Sequence, residues 1–244
     1  MNECIVLGHR MFLDWSDILR LSKNGIYEPM ETKLVMEILK EGDIVVDVGA
    51  HIGYYTLIFA RCVGEKGKVY AFEPEPTNFS ILFKNVKVNG YKNVLLFQKA
   101  VADFNGRTLL FLDEGTNTGD HRLYPGENRK SIEVDVVKLD DIIDEKISFV
   151  KVDVQGVEWR VLKGMRKLIE SGYVDRMLLE YSPYHIIASN YKEKEFLKDI
   201  RDLGFKMYGF RIDGKGIKEM NDESIMEACN LRNNQYMNIY CQRK

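Results

Sequence analysis

Residues 47–56 read DVGAHIGYYT, and this stretch decides the fold. It follows the β-branched run DIVVDV (43–48) and opens a segment with helical spacing. Strand, sharp turn and helix therefore succeed one another within about a dozen residues. Gly49 permits the sharp turn, and Gly53 lets a helix begin close to a ligand. Amides at such a helix start are expected to point at an incoming carboxylate or phosphate. An ordinary strand-to-helix turn would need the same glycines for geometry alone.

Working outward, four more apolar runs have strand character: KVYAFE (68–73), NVLLFQ (93–98), SFVKVD (148–153) and RMLLEY (176–181). Helical patterns lie between them, such as 77–90 and 157–172, each closed by a glycine. Runs without strict alternation, separated by helices, predict a parallel sheet buried on both faces. The tail carries two further strand-like runs, GFKMYGF (204–210) and YMNIYCQR (236–243), expected as an antiparallel pair at the end of the sheet. RTLLFL (107–112) and SIEVDVV (131–137) predict a hairpin insertion, about 105–137, through a long polar stretch. Residues 1–30 are expected as an extension packed on the domain 31–244, with a hairpin over 5–13 and a short helix over 15–22.

Glu73 lies 20 residues beyond Gly53, at the end of the second strand. A carboxylate there is placed to accept hydrogen bonds from ribose hydroxyls. The glycine order is G-x-x-x-G, from Gly49 and Gly53, without the middle glycine of a dinucleotide fingerprint. A carboxylate-bearing adenosyl ligand therefore fits better than NAD, and an antiparallel end strand points the same way.

At this point the chain resembles a known family. DVGAHIGYYT, AFEPEP, QKAVADFNGRTLLF and KVDVQGVEWRVLKG, in that order, together with the upstream GIYEPMETKLVMEILKEGDIVVD, resemble the FkbM methyltransferases over roughly residues 25–182. The resemblance implies an α/β, Rossmann-like class I methyltransferase fold. That fold has a mostly parallel seven-stranded sheet with an antiparallel end strand and helices on both faces. It implies S-adenosylmethionine as donor, S-adenosylhomocysteine as product, and usually a hydroxyl oxygen as acceptor. Carried over by position, Asp47, Gly49 and Gly53 form the methionine side of the pocket, with Ala50, His51 and Tyr54 beside them. Glu73 binds the ribose, next to Pro74. Ala100 and Val101 flank the adenine, with Asp103 nearby, while Tyr27, Glu28 and Thr32 close the pocket from upstream. The chain departs from the family pattern at His51, where Asn is usual, and at Gln155, where an acid is usual.

Methyl transfer from a sulfonium is an in-line displacement that needs alignment and desolvation. A neutral hydroxyl acceptor also profits from a base. Asp153 ends the fourth strand at the carboxyl edge, where open α/β sheets bind ligands, and is the first candidate for catalysis as well as a cofactor neighbour. Capping the helix that begins near Val157 is its alternative role. Glu180 ends the neighbouring strand and forms a pair with it, with Glu158 as a third carboxylate or a solvated one. No metal site is expected. An ion held by Asp153 and Glu180 with waters is the alternative, without a denser oxygen cluster to support it. His121 and Arg122, in TGDHRLY (118–124), are expected over the same cleft, as base and anion holder, or else as a surface loop. His185 carries the same ambiguity, and His9 has no local support.

Composition narrows the classes. The chain has 244 residues, 45% apolar, with 35 basic and 37 acidic side chains and a formal charge of −2. That balance gives no electrostatic case for nucleic acid or an anionic membrane. Cysteines at 4, 62, 229 and 241 form no CxxC pair, and no window is apolar enough to span a bilayer. The expectation is a cytoplasmic enzyme that methylates a hydroxyl on a small molecule or saccharide. RNA or protein N-methylation and a non-catalytic nucleoside-binding module are the competing readings.

Overall fold

The computed structural model describes residues 3–113, 115, 117–126, 129–211, 214, 216–229 and 235–244. Parts of the polar stretch in the central insertion, at 114, 116, 127 and 128, lie outside the described residues, as do residues 1 and 2 of the extension.

In chain order the elements begin with the hairpin β1 (Glu3–Val6) and β2 (His9–Phe12), then α1 (Leu21–Asn24) and α2 (Pro29–Ile38). Next come β3 (Ile44–Val48), α3 (Tyr54–Val63), β4 (Lys68–Phe72), α4 (Pro76–Val88) and β5 (Val94–Phe97). β6 (Ala100–Val101) precedes the insertion, which supplies β7 (Gly106–Phe111) and β8 (Ser131–Val137). Then follow β9 (Phe149–Val152), α5 (Glu158–Gly164), α6 (Arg166–Glu170), β10 (Arg176–Tyr181), α7 (Pro183–Ala188) and α8 (Glu193–Asp202). The tail holds β11 (Phe205–Phe210), β12 (Ile217–Glu219), α9 (Asp222–Ala228) and β13 (Met237–Arg243).

The main sheet runs β12-β11-β13-β10-β9-β3-β4-β5. β5, β4, β3, β9 and β10 are mutually parallel, as their unbroken apolar runs require. β13 pairs antiparallel with both β10 and β11, so the last strand sits inside the sheet rather than at its margin. The short edge strand β12 brings the sheet to eight strands among the described residues, one more than the expected seven.

Alternating strand residues feed two cores. Val46, Val48, Val150 and Leu179 join Trp159, Leu162, Ile169, Phe196 and Ile225, from α5, α6, α8 and α9, on one face. Val45, Val69 and Leu178 join Val35, Leu57, Phe59, Ile81 and Leu82, from α2, α3 and α4, on the other. Each such fully buried aliphatic side chain contributes about 2 kcal/mol.

The central hairpin forms as expected, β7 against β8, but in its own three-stranded sheet with β6. Two expected helices differ. The span 157–172 breaks into α5 and α6 at Met165 (φ −122°). A Cβ at Gly164 would lie 2.0 Å from the Ala102 carbonyl oxygen, so α5 is pressed against the start of the insertion. Asp140 then accepts the Lys167 and Leu168 N–H groups and starts α6 afresh. In the extension, the Asp17 carboxylate takes the N–H groups of Leu21 and Ser22, so the short helix begins at Leu21 and not at Trp15. Among the described residues no helix is long and apolar enough to cross a membrane.

Candidate functional site

A cavity of about 490 Å³ lies at the carboxyl edge of the parallel strands, within the usual range for a ligand pocket. The turn after β3 forms its floor. Gly49 has φ 81°, and a Cβ there would sit 1.9 Å from the Asp153 carbonyl oxygen, so only glycine lets these two strand ends meet. Gly53 (φ 94°) begins α3, where a Cβ would strike the Leu82 side chain at 2.6 Å.

Four amides of the loop that precedes α3 are bonded within the protein. Gly49 and Ala50 donate to the Phe72 carbonyl, Gly53 donates to Ala50, and the His51 N–H donates to Glu73 Oε2 at 2.9 Å. These bonds tighten the turn.

Two acids face the cavity at this end. Asp47 is buried and accepts from the Thr56 hydroxyl at 2.6 Å through Oδ2, while its Oδ1 has no partner. Burial raises its pKa, against the pull of Lys151 and of the Thr56 hydrogen bond. Glu73 accepts the N–H of His51 on one oxygen and that of Glu75 on the other, each at 2.9 Å. Burial pushes its carboxyl up to about 8, although both amide bonds pull it down. An ionised carboxylate has about four acceptor positions, so each Glu73 oxygen keeps room for a hydroxyl donor. The orphaned Asp47 oxygen and the half-engaged Glu73 form an acceptor-rich end that suits the ammonium and ribose hydroxyls of an adenosyl amino acid. Ala50, His51, Tyr54, Pro74, Ala100 and Val101 line the same cavity, joined by Leu110 from the insertion.

Glu28, Thr32, Gly53 and Asp103 do not line it. Thr32 donates to the Tyr27 carbonyl and meets the Tyr54 hydroxyl at 3.0 Å, which holds Tyr27 against the pocket. Glu28 accepts from the Tyr55 hydroxyl and from Asn238, both at 2.7 Å. Asp103 faces Arg160 at 3.7 Å. His9 is bonded to the Tyr91 hydroxyl, away from the cavity.

At the other end Asp153 lies between Lys151 Nζ and Gln155 Nε2, both 3.0 Å from its carboxylate. It caps no helix: the Glu158 carboxylate instead takes the Val154 and Gly156 amides, each at 3.1 Å. Burial would raise the Asp153 pKa, but the Lys151 ammonium outweighs it and holds the group below the ordinary carboxylate range. Lys151 pulls on Glu180 as well but is outweighed there. Burial and the nearby Asp153 and Glu158 charges hold its carboxyl well above the ordinary range. Burial likewise pushes Glu158, behind the wall, to about 7.

The strap 117–123 from the insertion closes the cavity, placing His121 and Arg122 beside the same space as Asp153. His121 Nδ1 accepts the Asp113 N–H at 3.1 Å, so the neutral ring carries its proton on Nε2. In that tautomer the ring carries an N–H and has no free nitrogen lone pair. Arg122 is clamped by Asp120 at 2.5 and 2.6 Å and meets His185 Nε2 at 3.1 Å. Its charge is met within the wall, which weakens the expected anion-holding role. Thr118 ties the strap down: its hydroxyl donates to Asp14 and meets His51 Nε2 at 3.0 Å, and its carbonyl accepts from Asn78.

The sequence reading missed Lys151, Asn78, Leu110 and Tyr236 among the lining residues. Only Lys151 carried a local signal, a lysine in the centre of an otherwise apolar strand. Among the described residues, no group of three or more His, Cys, Asp or Glu side chains is placed to hold a metal ion.

The order of the parallel strands, the inserted antiparallel strand and the acidic strand ends around one cavity define a class I methyltransferase fold. Within that class, the chain belongs to the FkbM methyltransferase domain family, which matches it over residues 47–212. It is 28% identical over 143 residues to a hexuronic acid methyltransferase of Haloferax volcanii, covering 57% of this chain and 56% of that one. It is 29% identical over 163 residues to a 31-O-demethyl-FK506 methyltransferase of Streptomyces tacrolimicus, covering 52% and 61%. The chain thus spans little more than half the length of these curated relatives. A Streptococcus mutans protein solved in complex with SAH (S-adenosylhomocysteine) superimposes with a TM-score of 0.53 over 90% of this chain and 99% of that one. At 12% identity that likeness speaks for the fold alone.

Proposed function

We propose that this chain transfers the methyl group of S-adenosylmethionine to a hydroxyl oxygen on a small molecule or saccharide. The observation that carries the reading is the single cavity whose one end offers Asp47 and Glu73 and whose other end offers Asp153 and Glu180. The cofactor, when bound, supplies an electrophilic methyl group. Glu73 and Pro74 border its ribose, Ala100, Val101 and Leu110 its adenine, and Asp47 its ammonium. Tyr54 and Thr32 brace the upstream wall through Tyr27, and Glu28 braces it through Tyr55.

Asp153 is the anionic acceptor for the hydroxyl proton, held ionised by Lys151. Glu180 is a carboxylic acid at neutral pH and donates a hydrogen bond to the acceptor molecule. His121 donates from Nε2 on the opposite wall. In the same reading residues 1–30 are an extension that completes the cofactor wall of a catalytic domain over 31–244, and no metal takes part. The relatives named for a hexuronic acid and for an FK506 precursor support small-molecule or saccharide acceptors. The formal charge of −2 supports neither a nucleic acid substrate nor an anionic membrane surface.

The test is methyl transfer from S-adenosylmethionine carrying a tritiated methyl group to a panel of hydroxylated saccharides and macrolides, with RNA and protein as further arms. Label appearing as a methyl ether on a saccharide or macrolide is expected. Label only in RNA or at protein nitrogen would overturn the acceptor class.

A further inference from the structure

Gln155 stands between the two acids of the acceptor end and has no role in the reading above. Its side-chain nitrogen lies 3.0 Å from Asp153 Oδ1 and 3.2 Å from Glu180 Oε2. A primary amide nitrogen carries two hydrogens, so one can go to each carboxyl group. The orientation follows from chemistry: turned the other way, the amide oxygen would face the ionised Asp153 as acceptor against acceptor.

The backbone that presents Gln155 is fixed on both sides. Glu158 Oε1 takes the amides of Val154 and Gly156, and the Ser189 hydroxyl donates to the Gly156 carbonyl at 2.7 Å. Gln155 itself takes a left-handed conformation (φ 57°), uncommon for a residue with a side chain. A Cβ at Gly156 would meet the His185 backbone at 2.6 Å, so this turn is packed against α7 and cannot relax outward.

We propose that Gln155 is the positioning residue of the Asp153–Glu180 pair: its side-chain nitrogen gives one hydrogen to each carboxyl group and so holds the two on a common donor, in place for the substrate hydroxyl. The inference rests on the hydroxyl-methylation reading. Two neighbouring carboxyl groups in a dry site do not both ionise. Lys151, 3.0 Å from Asp153, decides which one does. Glu28 and Glu158 act on Glu180 and favour retention of its proton, Asp47 acts on Asp153, and the Tyr27 and Tyr236 phenols, raised by burial, stay neutral beside the pair. His51 and His185 are kept neutral by burial, with pKa values lowered to about 4, and add no charge near neutral pH. A neutral bridge is what this balance requires. A carboxylate at 155 would set a third anion against Asp153 and compete for Lys151.

The experiment follows the carboxyl carbons of Asp153 and Glu180 by NMR in protein labelled with carboxyl-13C aspartate and glutamate. The full chain is used, with and without S-adenosylhomocysteine, and resonances are assigned through Asp153→Asn and Glu180→Gln. In the wild type, Asp153 is expected ionised and Glu180 protonated at pH 7. Gln155→Ala removes a donor from both groups and is expected to raise the Asp153 titration by about one pH unit, tenfold in proton affinity. Gln155→Glu is expected to raise it further. An Asp153 titration unmoved in a folded Gln155→Ala protein would overturn the proposal, as would a wild type with both groups ionised at pH 7. Calorimetry of S-adenosylhomocysteine on the same wild-type sample separates the two readings. Failure to bind would overturn the methyltransferase reading, while the titrations without ligand still decide the role of Gln155.

Discussion

Glu73 holds two backbone amides and still has acceptor capacity to spare, which makes it the residue whose removal should be felt most by the donor molecule. Two ribose hydrogen bonds to a charged carboxylate are at stake, each worth about 1.5–3 kcal/mol. Glu73→Ala is therefore expected to weaken S-adenosylhomocysteine tenfold or more, as measured by calorimetry on protein with unchanged circular dichroism. The same residue gives binding a pH dependence. Its carboxyl sits at about 8 in the unliganded protein because burial disfavours the charge. Hydroxyl donors favour the ionised form, so affinity should climb as pH rises from 6.5 to 8 and level off above. Glu73→Gln should remove that slope, and a flat wild-type profile would place the ribose elsewhere. The stability of the unliganded protein moves the other way. With a raised folded-state value, the Glu73 contribution is complete below the ordinary 4.5 and is lost as pH rises through 8.

Among the elements, the N-terminal hairpin is fastened to the sheet domain by Asn85, Asn89, Arg61 and Tyr91, and of these Asn85 is the fully buried one. Asn85, on α4, accepts the Phe12 N–H at 2.6 Å and donates to the Phe12 and Ile52 carbonyls at 2.9 and 2.8 Å. It is fully buried, so Asn85→Ala leaves several backbone groups unsatisfied. The expected cost is about 2–4 kcal/mol, read as a lower urea midpoint. An unchanged midpoint would mean that the other hairpin contacts, such as Arg10 with Asn89 and His9 with Tyr91, hold it without Asn85. The legible elements were those specified by nearby residues: the β3–α3 turn, the runs of β4, β9 and β10, and the β7–β8 hairpin. The break between α5 and α6 was not legible, because its cause, Ala102 against Gly164, comes from a segment some sixty residues away. The late start of α1 was hidden in Asp17, a side chain that satisfies amides before the helix begins.

At the scale of the molecule, the site divides along the same line. Asp47, Gly49 and Glu73 could be placed at the cavity because strand ends and a glycine turn fix their positions by local rules. The placement of Asp153 beside Glu180 followed from the neighbouring strands β9 and β10. The protonation pattern did not follow, because Lys151 and Gln155 set it and their reach is a matter of packing. His121 was read as a base from its place in the polar insertion, and its tautomer depends on one backbone amide, that of Asp113. The roles of Glu28 and Thr32 shifted for a similar reason: each acts through a tyrosine that the sequence could not pair with it.

The central claim is that this cavity takes an adenosyl amino acid and not a dinucleotide. Calorimetric titration of the full chain with S-adenosylhomocysteine and, separately, with NAD tests it most directly. Saturable one-to-one binding of S-adenosylhomocysteine and no heat from NAD are expected. Saturable binding of NAD without binding of S-adenosylhomocysteine would contradict it.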